Sequence, residues 1–333
     1  MSAEHGSTKR QKAEEAVGLA GLSNDLVVGL ASYLDARELG ASFALVCKRF
    51  GTKQARDDDD DDDGAQTLAE QAAWLSFQQG ASDEERACLP AHDGESPLSL
   101  LRELQRLRAR LSFDQLLGKG ISYPSPDDLT LSPQPPGRGS LERSTVIIDT
   151  GCSESTVISD HVMRAGKHFV TFKGIGSHED LSIGIVRPMK GLANQLDSVQ
   201  YFYPLFILND AVQDTVSRYR NDSWGNSVIG YLFNVPNPLA YNIQATYNWN
   251  DIASSSWHGE SIKEPCTSIG RYNPNLDASS LLLDLDRGEL LLYQGGKLCG
   301  KIVSGIQGIF CWAAVVRGHG LIREAHISIE RGD

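Results

Sequence analysis

The chain has 333 residues, 41% of them hydrophobic, and a net charge of −12, enough length and apolar content for two domains with at least one sizeable core. The acidic balance argues against nucleic acid, which needs a basic face against phosphate. No run approaches the roughly 18 apolar residues of a membrane helix, and the polar N-terminus offers no apolar stretch for a secretory signal.

Residues 1–20 are small and polar and read as a disordered tail. Their basic cluster, Lys9, Arg10 and Lys12, suits either a solvated tail or a nuclear address, so the expected location is cytoplasmic or nuclear. Residues 21–51 form a helical head. Leu22, Leu26, Leu30 and Leu34 recur every four residues, which predicts one helical face. Ser23 and Asn24 are caps for its start, and Gly29 sits inside it. Asp35 opens a second helix with Glu38 as its capping-box partner. Leu39, Phe43, Leu45 and Val46 continue an apolar face as far as Phe50, and Gly51 ends it. Helices spanning about thirty residues seldom stabilise themselves, so this head is expected to pack on the rest of the chain or dock on another protein.

Residues 52–66 hold seven consecutive aspartates, Asp57–Asp63, a block that repels itself and reads as a disordered linker. The segment 67–117 is expected to be helical. Leu68–Gln78 is one helix and Leu98–Leu111 another, the second with an amphipathic stripe of Leu100, Leu101, Leu104, Leu107 and Leu111. Residues 118–144 form a linker, with five prolines and four glycines in 118–140.

From Thr145 the apolar period changes to two. Strands are predicted at 145–148, 168–172, 181–186, 228–233, 281–285, 289–293, 310–316 and 322–329. Leu281–Asp286, Arg287-Gly288 and Glu289–Tyr293 make a hairpin, and Gln294-Gly295-Gly296-Lys297 supplies the next turn. Short strands with no intervening helix predict an antiparallel sandwich over 145–331. The fold class is therefore multidomain α+β, a small all-α head and helical segment followed by a β-sandwich. Cys47, Cys88, Cys152, Cys266, Cys299 and Cys311 include no CxxC pair, which predicts free thiols in a reducing compartment and neither a metal site nor a cofactor.

Two groups of residues resemble known families. Leu22-Ser23-Asn24-Asp25-Leu26, Leu34-Asp35-Ala36-Arg37-Glu38-Leu39 and Ala44–Phe50 are similar to an F-box, whose pattern is Leu-Pro-x-acidic-Leu, a helix ending in Leu-Asp, then Val-Cys-basic-x-Phe; Ser23 stands where proline is usual. Met163–Phe169, Ile183–Val186, Trp224-Gly225-Asn226, Trp249-Asn250-Asp251, Leu281–Tyr293 and Gly308–Trp312 resemble successive blocks of a SPRY domain, with Val170 and Thr171 in place of its Trp-Glu pair. The pairing implies the substrate-recognition subunit of an SCF-type cullin–RING ubiquitin ligase. The head would dock on the Skp-type adaptor through Leu22, Leu26, Leu30, Leu34, Leu39, Val46 and Phe50, positions that spacing alone cannot sort into docking and core. The sandwich would hold an unidentified target protein. Its aromatic loops, 187–227 and 234–275, place Tyr201, Tyr219, Tyr241, Trp249 and Trp257 as partner-binding positions. One alternative is an interaction module with no part in ubiquitination. Another is a retropepsin-like aspartic protease, since Val146-Ile147-Ile148-Asp149-Thr150-Gly151 resembles its catalytic strand; against it stands a plain strand end followed by a turn.

Overall fold

The computed structural model describes residues 22–46, 48–52, 66–90, 95–118, 120–124, 143–149, 155–175, 181–189, 227–235, 242–248, 278–316 and 324–331. They divide into two units, one of residues 1–82 and 91–105, the other of 83–90 and 106–333.

In the first unit the caps do what their side chains allow. Ser23 Oγ accepts from Leu26 N at the start of α1 (Asn24–Ala31). Asp35 and Glu38 cap reciprocally, each carboxylate accepting the other's backbone N–H at 2.7 and 2.9 Å. The turn they open becomes a π-helix, Glu38–Phe43, followed by two short helices, α2 (Ala44–Val46) and α3 (Lys48–Gly51). Thr67 and Glu70 form a second capping box at α4 (Leu68–Gly80). Pro97 occupies the first turn of α6 (Pro97–Arg108), where its missing N–H costs nothing, and Ser96 Oγ accepts from Ser99 N.

The face that α1 buries departs from the leucine pattern. Val27 and Ala31 are buried, whereas Leu26 and Leu30 are 58% and 56% exposed. The opposing α4 buries Ala69, Ala72 and Ala73, and α1 packs against it. Small side chains let two helix backbones approach closely, and that gain decides which of the two i,i+4 faces turns inward. Phe43 stacks on Phe50 with ring centroids 4.5 Å apart, closing the core beside Leu39.

The second unit carries α5 (Asp83–Cys88) and two antiparallel sheets. The six-stranded sheet runs β1 (Phe113–Leu117), β4 (Ser155–Met163), β12 (Phe310–Val316), β6 (Leu181–Val186), β7 (Ser227–Asn234), β8 (Asn242–Asn248). The seven-stranded sheet runs β11 (Lys297–Ser304), β10 (Glu289–Gln294), β9 (Ala278–Asp284), β5 (Lys167–Ile175), β13 (Glu324–Arg331), β3 (Thr145–Asp149), β2 (Ile121–Ser122). Inward residues from both sheets share one core, and Phe172 of β5 meets Trp312 of β12 edge-to-face at 6.5 Å across it. β12 and β6 are buried on both faces, which explains why they read as continuous apolar runs rather than alternating ones.

The sandwich starts earlier than Thr145. Phe113–Leu117, expected to belong to the helical segment, is a strand paired with β4, and Ile121-Ser122, expected in the linker, pairs with β3. Leu107 and Leu111 extend a helical stripe and Leu111, Phe113 and Leu117 fit a period of two, so local pattern serves both states; pairing with β4 decides. Strands β4, β8 and β11 were likewise not anticipated.

The Leu-Asp-Leu-Asp hairpin uses its acids locally. Asp284 accepts from Arg287 N inside the turn, and Asp286 reaches the β4–β5 corner to accept from Gly166 N. Gly166 has φ +71°, and a Cβ there would meet Cys88 Sγ at 2.6 Å, so only glycine fits. Gly295 and Gly296, with φ +55° and +73°, make the two-residue β10–β11 turn that their sequence predicts.

Candidate partner-binding surfaces

The structure sorts the seven head positions. Leu39 and Phe50 are core, 0% and 1% exposed. Leu26 and Leu30 lie one turn apart on α1 and face out; Leu22 and Leu34 are half-buried. The side chain of Val46 lies outside the described residues. Sequence reasoning missed Tyr33, 90% exposed just beyond α1, because no periodicity marks it, and assigned Leu45 to the apolar face although it is 79% exposed. An apolar row left in water on so small a unit is the kind of surface that marks a protein contact.

The proposed loop positions Tyr201, Tyr219, Tyr241, Trp249 and Trp257 all lie outside the described residues. Asp149 is the last residue of β3 and its backbone pairs with Glu324; Thr150 and Gly151 lie outside the described residues. The described cysteines Cys88, Cys299 and Cys311 are free thiols, buried in the fold.

Sequence reasoning did not find a cleft of about 260 Å³ in the second unit. Its apolar lining is Phe169, Trp312, Leu107 and Leu111, and its charged lining is Glu84, Glu85, Lys167 and Arg331. Two buried histidines complete it, His161 on β4 and His168 on β5. The β4–β5 corner brings their rings to 5.3 Å, with His161 Nε2 3.2 Å from His168 Nδ1. His168 Nε2 lies 2.8 Å from the carbonyl oxygen of Ala165. A carbonyl only accepts, so His168 carries its proton on Nε2 and its Nδ1 is bare. His161 must then donate from Nε2, which leaves its own Nδ1 bare as well.

Burial, then the charges of His168 and Arg331, push His161 down to about 3. Burial is also the main cause for His168, pushed down to about 4 with Arg331 adding to it and the Ala165 carbonyl opposing. Both rings are neutral at pH 7. Burial raises the Cys88 thiol above its ordinary value, so it stays protonated and donates weakly to the Lys167 carbonyl at 3.6 Å. Glu85 is taken by Arg108 in a two-pronged pair at 2.7 Å. No cluster of three metal-ligating side chains occurs among the described residues.

This chain thus pairs a small helical unit with a two-sheet antiparallel β-sandwich. No family model matches it, and no curated protein matches it. Similar solved structures include the SPRY domain of human HERC1, at 11% identity and a TM-score of 0.31, spanning 56% of this chain and 88% of that one. The TRIM65 PSpry domain stands at 14% identity and 0.30, spanning 67% and 90%. Stonustoxin stands at 9% and 0.30, spanning 66% of this chain but 27% of its own. The sandwich is defined by its own strand order and shared core. No described helix is long and apolar enough to cross a membrane.

Proposed function

We propose that the chain is the non-catalytic substrate-recognition subunit of a cullin–RING ubiquitin ligase. On this reading the head is an F-box that docks on a Skp-type adaptor, and the sandwich is a SPRY-like domain that holds the target protein. The observation that carries the proposal is the outward face of α1. Leu26 and Leu30, two positions of the F-box-like pattern, are exposed while the helix buries Val27 and Ala31 instead. A helix that turns its leucines to water and its small residues inward has a hydrophobic face in need of a partner. The reading requires no catalytic group, metal or cofactor of its own, and it places the protein in the cytoplasm or nucleus, where the ligase machinery works.

The test is co-purification of the full chain with a Skp-type adaptor. Leu26→Asp with Leu30→Asp should abolish capture without changing the far-ultraviolet circular dichroism, since both side chains already meet water. Capture that survives this double substitution refutes the docking face. A chain that captures no adaptor at all, yet binds a target through residues 106–333, is an interaction module without a ubiquitin role.

A further inference from the structure

Arg187 is a cation that the described fold leaves without a counter-charge. It follows β6 directly, and Pro188, which has no N–H for a ladder, stops the strand there. Met189, 0% exposed, anchors the chain just beyond. Register sets the neighbours: Ile185 pairs with Tyr231 of β7, and Val186 with Cys311 of β12. Gly308, two residues before β12, has φ +113°, a conformation suited to glycine. A Cβ there would lie 3.4 Å from Nη2 and 4.0 Å from Nε of Arg187, so the guanidinium rests against bare backbone.

This guanidinium makes no hydrogen bond and no ion pair among the described residues, and its Nε is buried as well as unpaired. Arginine keeps its charge in folded proteins. A charged donor taken out of water without an acceptor costs more than a neutral one, so a ligand that brings the acceptor is favoured.

The surroundings narrow the acceptor's chemistry. An unpaired cation selects an anion over a neutral group. Burial raises the Tyr231 hydroxyl and Arg187 lowers it, and Arg187 is the one charge among the described residues that acts there. A single positive charge matches a monoanion better than a phosphate carrying about −1.5 to −2. The planar fork of the guanidinium also fits the two oxygens of a carboxylate. Ile309, beside Gly308, is 42% exposed, and Tyr231 is half-buried. Apolar surface therefore flanks the charge, a setting in which arginine anchors protein interfaces.

We propose that Arg187 receives one acidic side chain of a bound protein, donating from Nε and one Nη to an aspartate or glutamate carboxylate whose apolar neighbours lie on Ile309. The inference deepens the reading of the sandwich as a protein-binding module and rests on it.

The test uses the full chain with isotope-labelled arginine, and the peptide acetyl-Val-Glu-Val-amide as the probe. Saturable binding in the millimolar range should move the Nε–H resonance of Arg187. The Val-Gln-Val counterpart should bind roughly tenfold more weakly, and the counterpart with phosphoserine in place of glutamate should also be weaker. Arg187→Lys, which keeps the charge and loses the fork, should weaken the glutamate peptide roughly fivefold. Arg187→Gln should erase the preference for glutamate over glutamine. Because the guanidinium has no described partner in the fold, that variant should also melt within about 2 °C of wild type. Ile309→Ser should weaken the glutamate and glutamine peptides alike. Equal affinity for those two peptides overturns the proposal, as does tighter binding of the phosphoserine peptide. So does an unmoved Nε–H resonance, wild-type binding by Arg187→Lys, or a marked loss of stability in Arg187→Gln, which reveals a partner inside the chain. Failure of the peptide with target capture intact removes only this site; failure of target capture with the peptide still bound removes only the module reading.

Discussion

Acid should unfold the β-sandwich through its two buried histidines. In the unfolded chain each histidine titrates near its ordinary value of 6.5, whereas in the fold His161 is held down to about 3 and His168 to about 4. Between these limits the unfolded state binds protons that the folded state refuses, so stability is full above pH 6.5 and falls as the pH drops toward 4. A proton on His168 Nδ1 would also point at the proton His161 already donates from Nε2, so the chain of two rings cannot charge without breaking. From pH 7 to pH 5 the loss is about 2 kcal/mol per histidine, or about 4 kcal/mol for the pair, at roughly 1.36 kcal/mol for each unit below 6.5. That is a large fraction of the ~5–15 kcal/mol that holds a domain together. Urea unfolding at the two pH values, followed by tryptophan fluorescence, measures it. His168→Gln offers the same acceptor and donor without titrating, and should recover about 2 kcal/mol of the loss at pH 5. The same fall in stability in wild type and His168→Gln would refute the assignment.

Three further outcomes follow from packing. Gly184→Ala should destabilise the sandwich by several kcal/mol, or about 10 °C or more in thermal midpoint, because a Cβ there would run into the Tyr231 carbonyl oxygen between β6 and β7. Trp312→Ala should cost about 3–5 kcal/mol, since its side chain is 0% exposed at the centre of the core; differential scanning calorimetry reads both. Gly29→Ala should instead stabilise the helical unit by about 0.5–1 kcal/mol, because a Cβ on α1 would meet nothing within 4 Å, and a rise in its urea midpoint is the check.

How far the fold could be read ahead depended on how local its causes were. The strands at 181–186 and 310–316 begin and end as their apolar runs do, and the β9–β10 and β10–β11 hairpins turn where Gly288 and Gly295-Gly296 permit positive φ. The capping pairs Asp35–Glu38 and Ser23–Leu26 are equally local, each spanning three residues. β1 escaped notice because Leu111, Phe113 and Leu117 serve a helix or a strand, and β4 because no single face of Ser155–Met163 is apolar, its polar Ser155, Thr156 and Ser159 being buried too.

The surfaces were less legible than the strands. Spacing by four marks Leu26 and Leu30 but marks Val27 and Ala31 equally, and only the alanines of α4 across the interface determine which pair is buried. The cleft left no trace in the sequence, since it gathers α5, the β4–β5 corner, Trp312 and Arg331 from positions up to 247 residues apart, Glu84 to Arg331. Turn chemistry and hydrophobic period act between neighbours, and the amino-acid order by itself determined the sandwich's hairpins. Which leucines meet water, and which nitrogen of His161 stands bare, are decided by residues distant in sequence that only the tertiary structure brings together.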